Sequence, residues 1–331
     1  MEYARLGRSN MRVSKLALGT MNFGVRTDEA EAFRIMDRAL ELGINFFDTA
    51  NVYGITSGRP DGQGITEELI GRWFAQGGDR RERTILATKV AGPMNERIYG
   101  PNDARGYSGF KLRRQLDESL ARLQTDYVDL YQLHLYDPLA SKDDVLDSFE
   151  QLQAQGKAFY LGTCNHAGRH LAYWDAAAER SRVLGPVSEQ HPYNLLERAA
   201  ELEVIPATQE LDLGLIAFRP LCAGKLSGSA HAAAGGRREK ALAALSEAGR
   251  AQLEAFSALC AELGEAEADV ATAWVLANPA VTTLLLGPRT LEQFEASVRA
   301  AQIGLPPDVL ARLDEIFPPL YDRASSVASR R

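Results

Sequence analysis

Short apolar runs alternate with longer stretches of helical spacing along most of the chain. The first apolar run covers residues 15–18, and residues 28–42 follow with apolar side chains three or four positions apart, from Ala32 to Leu40. This spacing places the apolar side chains on one face of a helix, and Gly43 suits the position where such a helix ends. The pattern predicts a strand followed by a helix.

The same alternation repeats along the rest of the chain. Further strands are predicted at residues 44–47, 84–88, 128–133, 158–163, 187–190, 215–218 and 282–286. Further helices are predicted at residues 66–76, 108–123, 142–155, 169–180, 199–211 and 291–300. About eight βα units in one chain are what a (β/α)8 barrel requires.

We therefore predict an α/β fold, a (β/α)8 TIM barrel formed by residues 1–331 as a single domain, with extra C-terminal helices. Residues 3–13 hold a Gly-Arg-Ser-Asn turn between two β-compatible runs, which predicts an N-terminal β-hairpin that closes the bottom of the barrel. An open doubly wound sheet is the alternative. Its Gly-x-Gly-x-x-Gly sequence is absent after the first strand, which favours the barrel.

Candidate catalytic side chains stand where three of the predicted strands end. Asp48 follows the second barrel strand, Lys89 follows the third and His134 follows the fourth, and Tyr53 lies a few residues beyond Asp48. Each residue alone has an ordinary structural explanation, such as a turn or helix cap for Asp48. Together, at the end of a barrel where catalytic groups gather, they predict a shared pocket.

This combination suits proton transfer to a carbonyl oxygen. A phenol ordinarily has a pKa near ~10, and a buried ammonium beside it lowers that pKa. Tyr53 would then be the general acid, with Lys89 and Asp48 behind it and His134 donating a second hydrogen bond.

At these residues the sequence resembles the aldo-keto reductase family. FDTANVYG at residues 47–54, ATKV at 87–90 and YQLHLYDP at 131–138 look like the segments that carry the family's catalytic tetrad, in the family's order. The resemblance covers nearly the whole chain. It implies an enzyme that reduces an aldehyde or ketone to an alcohol by direct hydride transfer from NADPH.

The resemblance also implies where NADPH binds. Asn165 and Gln190 would hold the nicotinamide carboxamide, because an amide both donates and accepts hydrogen bonds, and Phe218 would stack on the nicotinamide ring. Arg289 would pair with a 2′-phosphate, which favours NADP over NAD; an exposed Arg at a helix start is the alternative. The cofactor-binding positions so implied are Gly19, Thr20, Met21, Asp48, Cys164, Asn165, Gln190, Phe218, Arg219, Pro220, Leu221, Ala223, Gly224, Lys225, Gly287, Arg289, Gln293 and Ser297.

Three positions depart from the family pattern. Cys164 stands where a serine is common, Ser297 belongs to an Ala-Ser pair that replaces the usual Glu-Asn near the adenine, and Arg219 stands where a small residue is frequent. Arg219 would contact either the pyrophosphate or a substrate phosphate. These departures leave the cofactor preference less determined than the catalytic chemistry.

Three long segments surround the predicted site. Residues 55–64 and 91–107 are rich in Gly, Pro, Asn and Arg and follow strands with candidate catalytic residues, so we expect them to wall the substrate pocket. Residues 226–247 are rich in Ala and Gly and contain a basic group, Arg237, Arg238 and Lys240. They are either a flap over the cofactor or a surface loop.

Composition and charge indicate the class of protein, its compartment and its partners. The chain has 331 residues, and its net charge of −7 and pI near 5.4 argue against a nucleic-acid binder, which normally shows a basic face. It contains no stretch of the ~20 apolar residues that cross a bilayer, its beginning does not resemble a targeting peptide, and its three cysteines lack zinc-site spacing. We expect a cytoplasmic protein whose partner is a small carbonyl substrate, and the oligomeric state stays open.

Two other functions stay open. The first is a reductase of a nucleotide-linked keto-sugar, because the loops around Arg59, Arg97 and Arg105 offer cations for a diphosphate. The second is a non-catalytic NADP-sensing regulatory subunit, which we expect to carry a large apolar surface patch or an added N-terminal segment.

Overall fold

Eight parallel strands form a closed barrel in the computed structural model, which describes residues 1–55, 63–228 and 245–320. The strands are β3 (Leu16–Gly19), β4 (Phe46–Asp48), β5 (Ile85–Val90), β6 (Val128–Leu133), β7 (Ala158–Cys164), β8 (Pro186–Pro192), β9 (Gly214–Phe218) and β10 (Val281–Leu286). Neighbours follow in chain order, and β10 pairs with β3 to close the ring. The predicted (β/α)8 barrel is therefore confirmed.

Helices surround the barrel and cover its outer face. They are α1 (Glu29–Glu41), α2 (Ile65–Phe74), α3 (Glu96–Tyr99), α4 (Gly109–Leu123), α5 (Lys142–Ala154), α6 (Gly168–Ala178), α7 (Val204–Glu210), α8 (Glu247–Leu263), α9 (Glu267–Ala277), α10 (Leu291–Ala300) and α11 (Pro307–Ile316). Apolar helix faces bury against outward-facing strand residues; the ring of Trp73 on α2, for example, stacks on Phe47 of β4 with centroids 5.6 Å apart. This layer is the main hydrophobic core.

The N-terminal hairpin closes one end of the barrel, as predicted. Its strands, β1 (Tyr3–Arg5) and β2 (Arg12–Ser14), pair antiparallel. Leu6 and Val13 belong to the cluster that fills the barrel interior. Gly7 has a φ of +52°, and a Cβ there would lie 2.2 Å from the carbonyl oxygen of Val187, so only glycine lets the turn approach β8 this closely. The opposite end of the barrel stays available for the site.

The structure corrects some element boundaries. The helix predicted at 199–211 divides into a 3-10 turn, Ala199–Glu201, and α7, which places Pro206 in a first turn where its missing N–H does no harm. Helices α8 and α9 lie between β9 and β10, where the apolar pattern assigned none. Helix α11 follows the last βα unit, where extra C-terminal helices were predicted, and Phe317 directly after it packs on Phe256 of α8 with ring centroids 5.7 Å apart.

Candidate active site

The strands bring the candidate catalytic residues to the carboxyl-terminal end of the barrel. Asp48 is the last residue of β4, Lys89 lies near the end of β5, and His134 directly follows β6. Thr20, after β3, donates its hydroxyl to the carbonyl of Asp48 at 2.9 Å and thereby ties two neighbouring strand ends together. Tyr53 stands in the turn after β4, so the tetrad comes from three adjacent strands.

Lys89 connects the group. Its ammonium is fully buried and donates to Asp48 Oδ2 at 2.5 Å, to the Tyr53 hydroxyl at 2.9 Å and to the carbonyl of Thr49 at 3.0 Å. These three acceptors use all three ammonium protons. The lysine is therefore held as a fixed cation behind the phenol.

The second oxygen of Asp48 is held by two amides. Gln132 of β6 and Gln190 of β8 each donate from Nε2 to Asp48 Oδ1 at 2.8 Å. Gln190 was expected at the nicotinamide site, whereas Gln132 was missed. A polar residue within the buried strand run at 128–133 was the signal that could have revealed it.

The pKa of Tyr53 is raised to about 12. Burial is the main cause; Lys89 lowers this pKa, as expected, but does not outweigh burial, and Asp48 raises it further. The expected net lowering is therefore wrong. Burial is the largest single effect on Lys89 and lowers its pKa, but attraction to Asp48, Tyr53 and Cys164 together outweighs burial and leaves that pKa above its ordinary value. At neutral pH the group consists of a neutral phenol beside an ammonium ion.

His134 completes the group. Its ring lies edge-on to Tyr53, with centroids 6.0 Å apart, and the imidazole has no hydrogen bond to other described residues. Burial, Lys89 and Arg105 together lower its pKa to about 3. The ring is consequently neutral at physiological pH and carries one N–H donor. Asn165 donates to the His134 carbonyl at 3.1 Å, which links β6 to β7.

The loop at 91–107 lies beside His134 and is held by buried charges. Asp103 accepts from Arg114 at 2.5 Å and from the backbone N–H of Met94 at 2.6 Å, and Lys111 donates to the carbonyl of Ala104 at 2.7 Å. The loop is thus held in place beside His134, and its role as a pocket wall stays a prediction. In the other expected wall, residues 56–62 lie outside the described part of the chain, as does Arg59.

The proposed carboxamide site lies next to the tetrad. The Cys164 thiol donates to Gln190 Oε1 at 3.6 Å and accepts from Asn165 Nδ2 at 3.0 Å. Burial raises the pKa of Cys164, so the sulfur stays a thiol. Phe218 ends β9 half-buried and packs on the barrel interior cluster. The residues expected to meet a nicotinamide therefore lie at the carboxyl-terminal ends of three neighbouring strands, β7, β8 and β9.

The segment after β9 has an unusual backbone. The backbone φ values of Arg219, Cys222 and Ala223 are 62°, 44° and 57°, in the left-handed region that residues other than glycine rarely adopt. Gly224 follows with a φ of 94°. Such conformations often occur where a backbone clamps a ligand. Arg219 itself pairs with Glu197 at 3.6 Å, a contact that the sequence did not predict.

The residues implied to bind the adenosine end of the cofactor lie at the start of α10. The backbone N–H of Arg289 donates to Gln293 Oε1 at 3.0 Å, and Ser297 donates to the Gln293 carbonyl at 2.9 Å. The Arg289 guanidinium is exposed and has no ion pair with another described residue. The loop after β3 joins this end, because Asn22 donates to the Gly287 carbonyl at 3.0 Å.

The remaining implied residues lie on the same rim. They are Gly19 at the end of β3, Met21 with half of its side chain exposed, and Pro220, Leu221 and Lys225, which are partly buried in the segment after β9.

Within residues 1–55, 63–228 and 245–320, no group of three or more His, Cys, Asp or Glu would hold a metal ion. In the same ranges, no helix has both the length and the apolar character needed to cross a membrane.

Comparison with known proteins agrees with the fold. The aldo/keto reductase family matches residues 15–317. The uncharacterized oxidoreductase YrpG of Bacillus subtilis is 52% identical over 318 residues, 96% of each chain. Protein tas of Escherichia coli is 32% identical over 96% of this chain and 97% of its own. A probable voltage-gated potassium channel subunit beta of Oryza sativa is 29% identical over 96% of both chains. The chain therefore belongs to the aldo/keto reductase family and is an oxidoreductase by that membership.

Proposed function

We propose that this protein reduces an aldehyde or ketone to an alcohol with NADPH, and that Tyr53 is the general acid. The observation that carries the proposal is the hydrogen-bonded row in which Lys89 joins the Tyr53 hydroxyl at 2.9 Å to Asp48 at 2.5 Å. A phenol backed by a fixed ammonium is suited to giving a proton to a developing alkoxide.

Each residue of the tetrad has a separate task. When bound, a nicotinamide supplies the hydride that reduces the carbonyl carbon. Tyr53 gives its proton to the carbonyl oxygen, and the adjacent ammonium of Lys89 stabilises the phenolate left behind. Neutral His134 donates its N–H to the same oxygen, which polarises the carbonyl and orients it.

A raised phenol pKa is compatible with this task. At neutral pH Tyr53 retains the proton that it must donate. An alkoxide is a far stronger base than a phenolate, so the transfer stays favourable despite the raised pKa. Because Lys89 keeps its proton, the phenol rather than the lysine is the acid.

The side chains at the ends of β7, β8 and β9 fit a nicotinamide cofactor. Asn165 and Gln190 would hold a carboxamide, and the half-buried ring of Phe218 would lie against the nicotinamide. The left-handed backbone from Arg219 to Gly224 would suit a pyrophosphate, because strained backbone of this kind often occurs where a protein clamps a ligand. The exposed guanidinium of Arg289 would bind a 2′-phosphate, which makes NADPH the proposed cofactor rather than NADH.

One alternative is a non-catalytic NADP-sensing regulatory subunit. It draws support from the relatives named as potassium channel subunits, which are about as similar to this chain as Protein tas is. The more similar YrpG is named an oxidoreductase, and the assembled tetrad supports catalysis. A keto-sugar reductase is the other alternative: Arg97 and Arg105 lie exposed on the loop beside His134, whereas Arg59 lies outside the described residues.

The test begins with a fluorescence titration of the purified protein with NADPH and NADH. Turnover is then measured on aldehydes, ketones and nucleotide-linked keto-sugars. We expect tight NADPH binding and carbonyl-dependent oxidation, with Tyr53→Phe keeping NADPH affinity but losing most turnover. NADPH binding with no turnover of any carbonyl would favour the regulatory alternative. Full activity of Tyr53→Phe would show that another group is the acid.

A further inference from the structure

Gln132 is a buried amide in the same interior layer as the tetrad. In the barrel register it pairs with Lys89 of β5 on one side and Gly162 of β7 on the other. A Cβ at Gly162 would lie 3.0 Å from Gln132 Cγ, so the glycine leaves the space that this side chain fills. Gln132 is fully buried and reaches no solvent.

The hydrogen bonds of Gln132 converge on the catalytic carboxylate. Its Nε2 donates to Asp48 Oδ1 at 2.8 Å, and its Oε1 accepts from Gln190 Nε2 at 3.5 Å. Because Oδ1 is held in this way, Asp48 Oδ2 is turned toward Lys89. Rotation of the carboxylate would break the contact with one of these partners.

The side-chain amides of Gln132 and Gln190, which both bind Asp48, differ in their other contacts. Gln190 also accepts from Cys164 and is the amide proposed to meet the nicotinamide. Among the described residues, the side-chain hydrogen bonds of Gln132 go to Asp48 and Gln190 and not to Asn165 or Phe218, the other residues of that proposed site. Only Gln132 is therefore free to hold Asp48 in the same orientation whether or not the nicotinamide site is filled.

We propose that Gln132 is a positioning residue that acts through Asp48: it fixes the carboxylate against Lys89 and so keeps the ammonium beside the Tyr53 hydroxyl. The inference rests on the proposed function, in which that ammonium supports the acid. It adds a fifth residue, buried behind the tetrad, to those on which proton transfer depends.

Gln132→Met tests this role, because methionine keeps the length and volume of the side chain and removes only the amide. Ser188→Ala is the control. Ser188 is also buried against Gly162, but its hydroxyl has no hydrogen-bond partner among the described residues. We expect Gln132→Met to lower kcat about 10-fold or more, since misplaced catalytic groups reduce rates steeply. NADPH affinity should stay within about twofold, and Ser188→Ala should resemble the wild type.

The pH dependence separates positioning from packing. Attraction to Asp48 raises the pKa of Lys89. A loosened Asp48 would let Lys89 lose its proton more readily, so the alkaline fall of kcat should begin at lower pH in Gln132→Met. An unchanged kcat and pH profile would overturn the proposal. Weaker NADPH binding with unchanged kcat would overturn it as well, because Gln132 would then serve the cofactor.

A cycle of unfolding measurements tests the contact without any substrate. Gln132→Met should lower the urea midpoint of the wild type and have much less effect in an Asp48→Ala background, where its partner is already gone. Equal effects in both backgrounds would overturn the proposal. If the wild type binds NADPH but reduces no carbonyl, the proposed function fails and this cycle alone decides the positioning role.

Discussion

The hydroxyl of Tyr107 bonds both backbone groups of Leu135, accepting from its N–H at 2.9 Å and donating to its carbonyl at 2.5 Å. Leu135 directly follows His134, so the loop at 91–107 fixes the backbone that carries the imidazole. Burial raises the pKa of Tyr107 and keeps the hydroxyl protonated as a donor. A loop distant in sequence thus sets the position of a tetrad member.

Tyr107→Phe should therefore impair catalysis without touching the substrate-facing groups. Loss of the hydroxyl leaves both backbone groups of Leu135 without this partner, at a cost of about 1–3 kcal/mol in unfolding free energy. Turnover should fall several-fold as His134 loses its fixed position. Steady-state kinetics and urea unfolding measure both effects. Tyr99→Phe, on the same loop but bonded to Glu118, is the control and should keep full turnover.

Breaking the Lys89–Asp48 pair should separate stability from catalysis. Lys89→Met leaves Asp48, 2% exposed, without its cation, and removal of one partner of a buried pair costs about 3–5 kcal/mol. Adding Asp48→Leu should restore part of the unfolding free energy, because the isolated carboxylate is gone. Turnover should remain lost in both variants. Recovery of turnover in the double variant would contradict the role of the ammonium.

His134 should make the protein less stable in acid. Its pKa is about 3 in the folded protein against about 6.5 in an unfolded chain, so the unfolded state binds more protons between these values. The stabilising contribution is complete above about pH 6.5 and is lost as the pH falls toward 3. His134→Gln should lose less unfolding free energy than the wild type between pH 7 and pH 5, by urea titration. His166 and His170, whose pKa values burial also lowers, are common to both proteins and cancel.

Arg289 should decide between the two nicotinamide cofactors. Arg289→Ala removes a guanidinium that would bind a 2′-phosphate, and such charged hydrogen bonds contribute about 1.5–3 kcal/mol. The Kd for NADPH should rise about 10- to 100-fold while the Kd for NADH stays constant. Arg299→Ala, at the far end of α10, is the control. Equal losses for both cofactors would place Arg289 away from the 2′ position.

Much of the fold could be predicted because a parallel barrel repeats one local pattern. Each buried strand is followed by an amphipathic helix, and the spacing of apolar residues that distinguishes the two is visible within a few neighbouring residues. The same pattern placed Asp48, Lys89 and His134 at the carboxyl-terminal ends of strands, where the active sites of such barrels lie. The region between β9 and β10 was the exception: α9 is apolar nearly all round, so it shows no clear stripe, and its buried face could not be recognised from spacing.

The sequence by itself thus determined the barrel, its N-terminal hairpin and the strand ends that carry Asp48, Lys89 and His134, because local spacing encodes strands and helices. Only the tertiary structure decided how these groups interact. Gln132 meets Asp48 from 84 residues away, and Tyr107 holds Leu135 from 28 residues away, distances over which no local pattern extends. The pKa of Tyr53 was likewise undecided until burial could be weighed against Lys89, since desolvation depends on everything packed around a group.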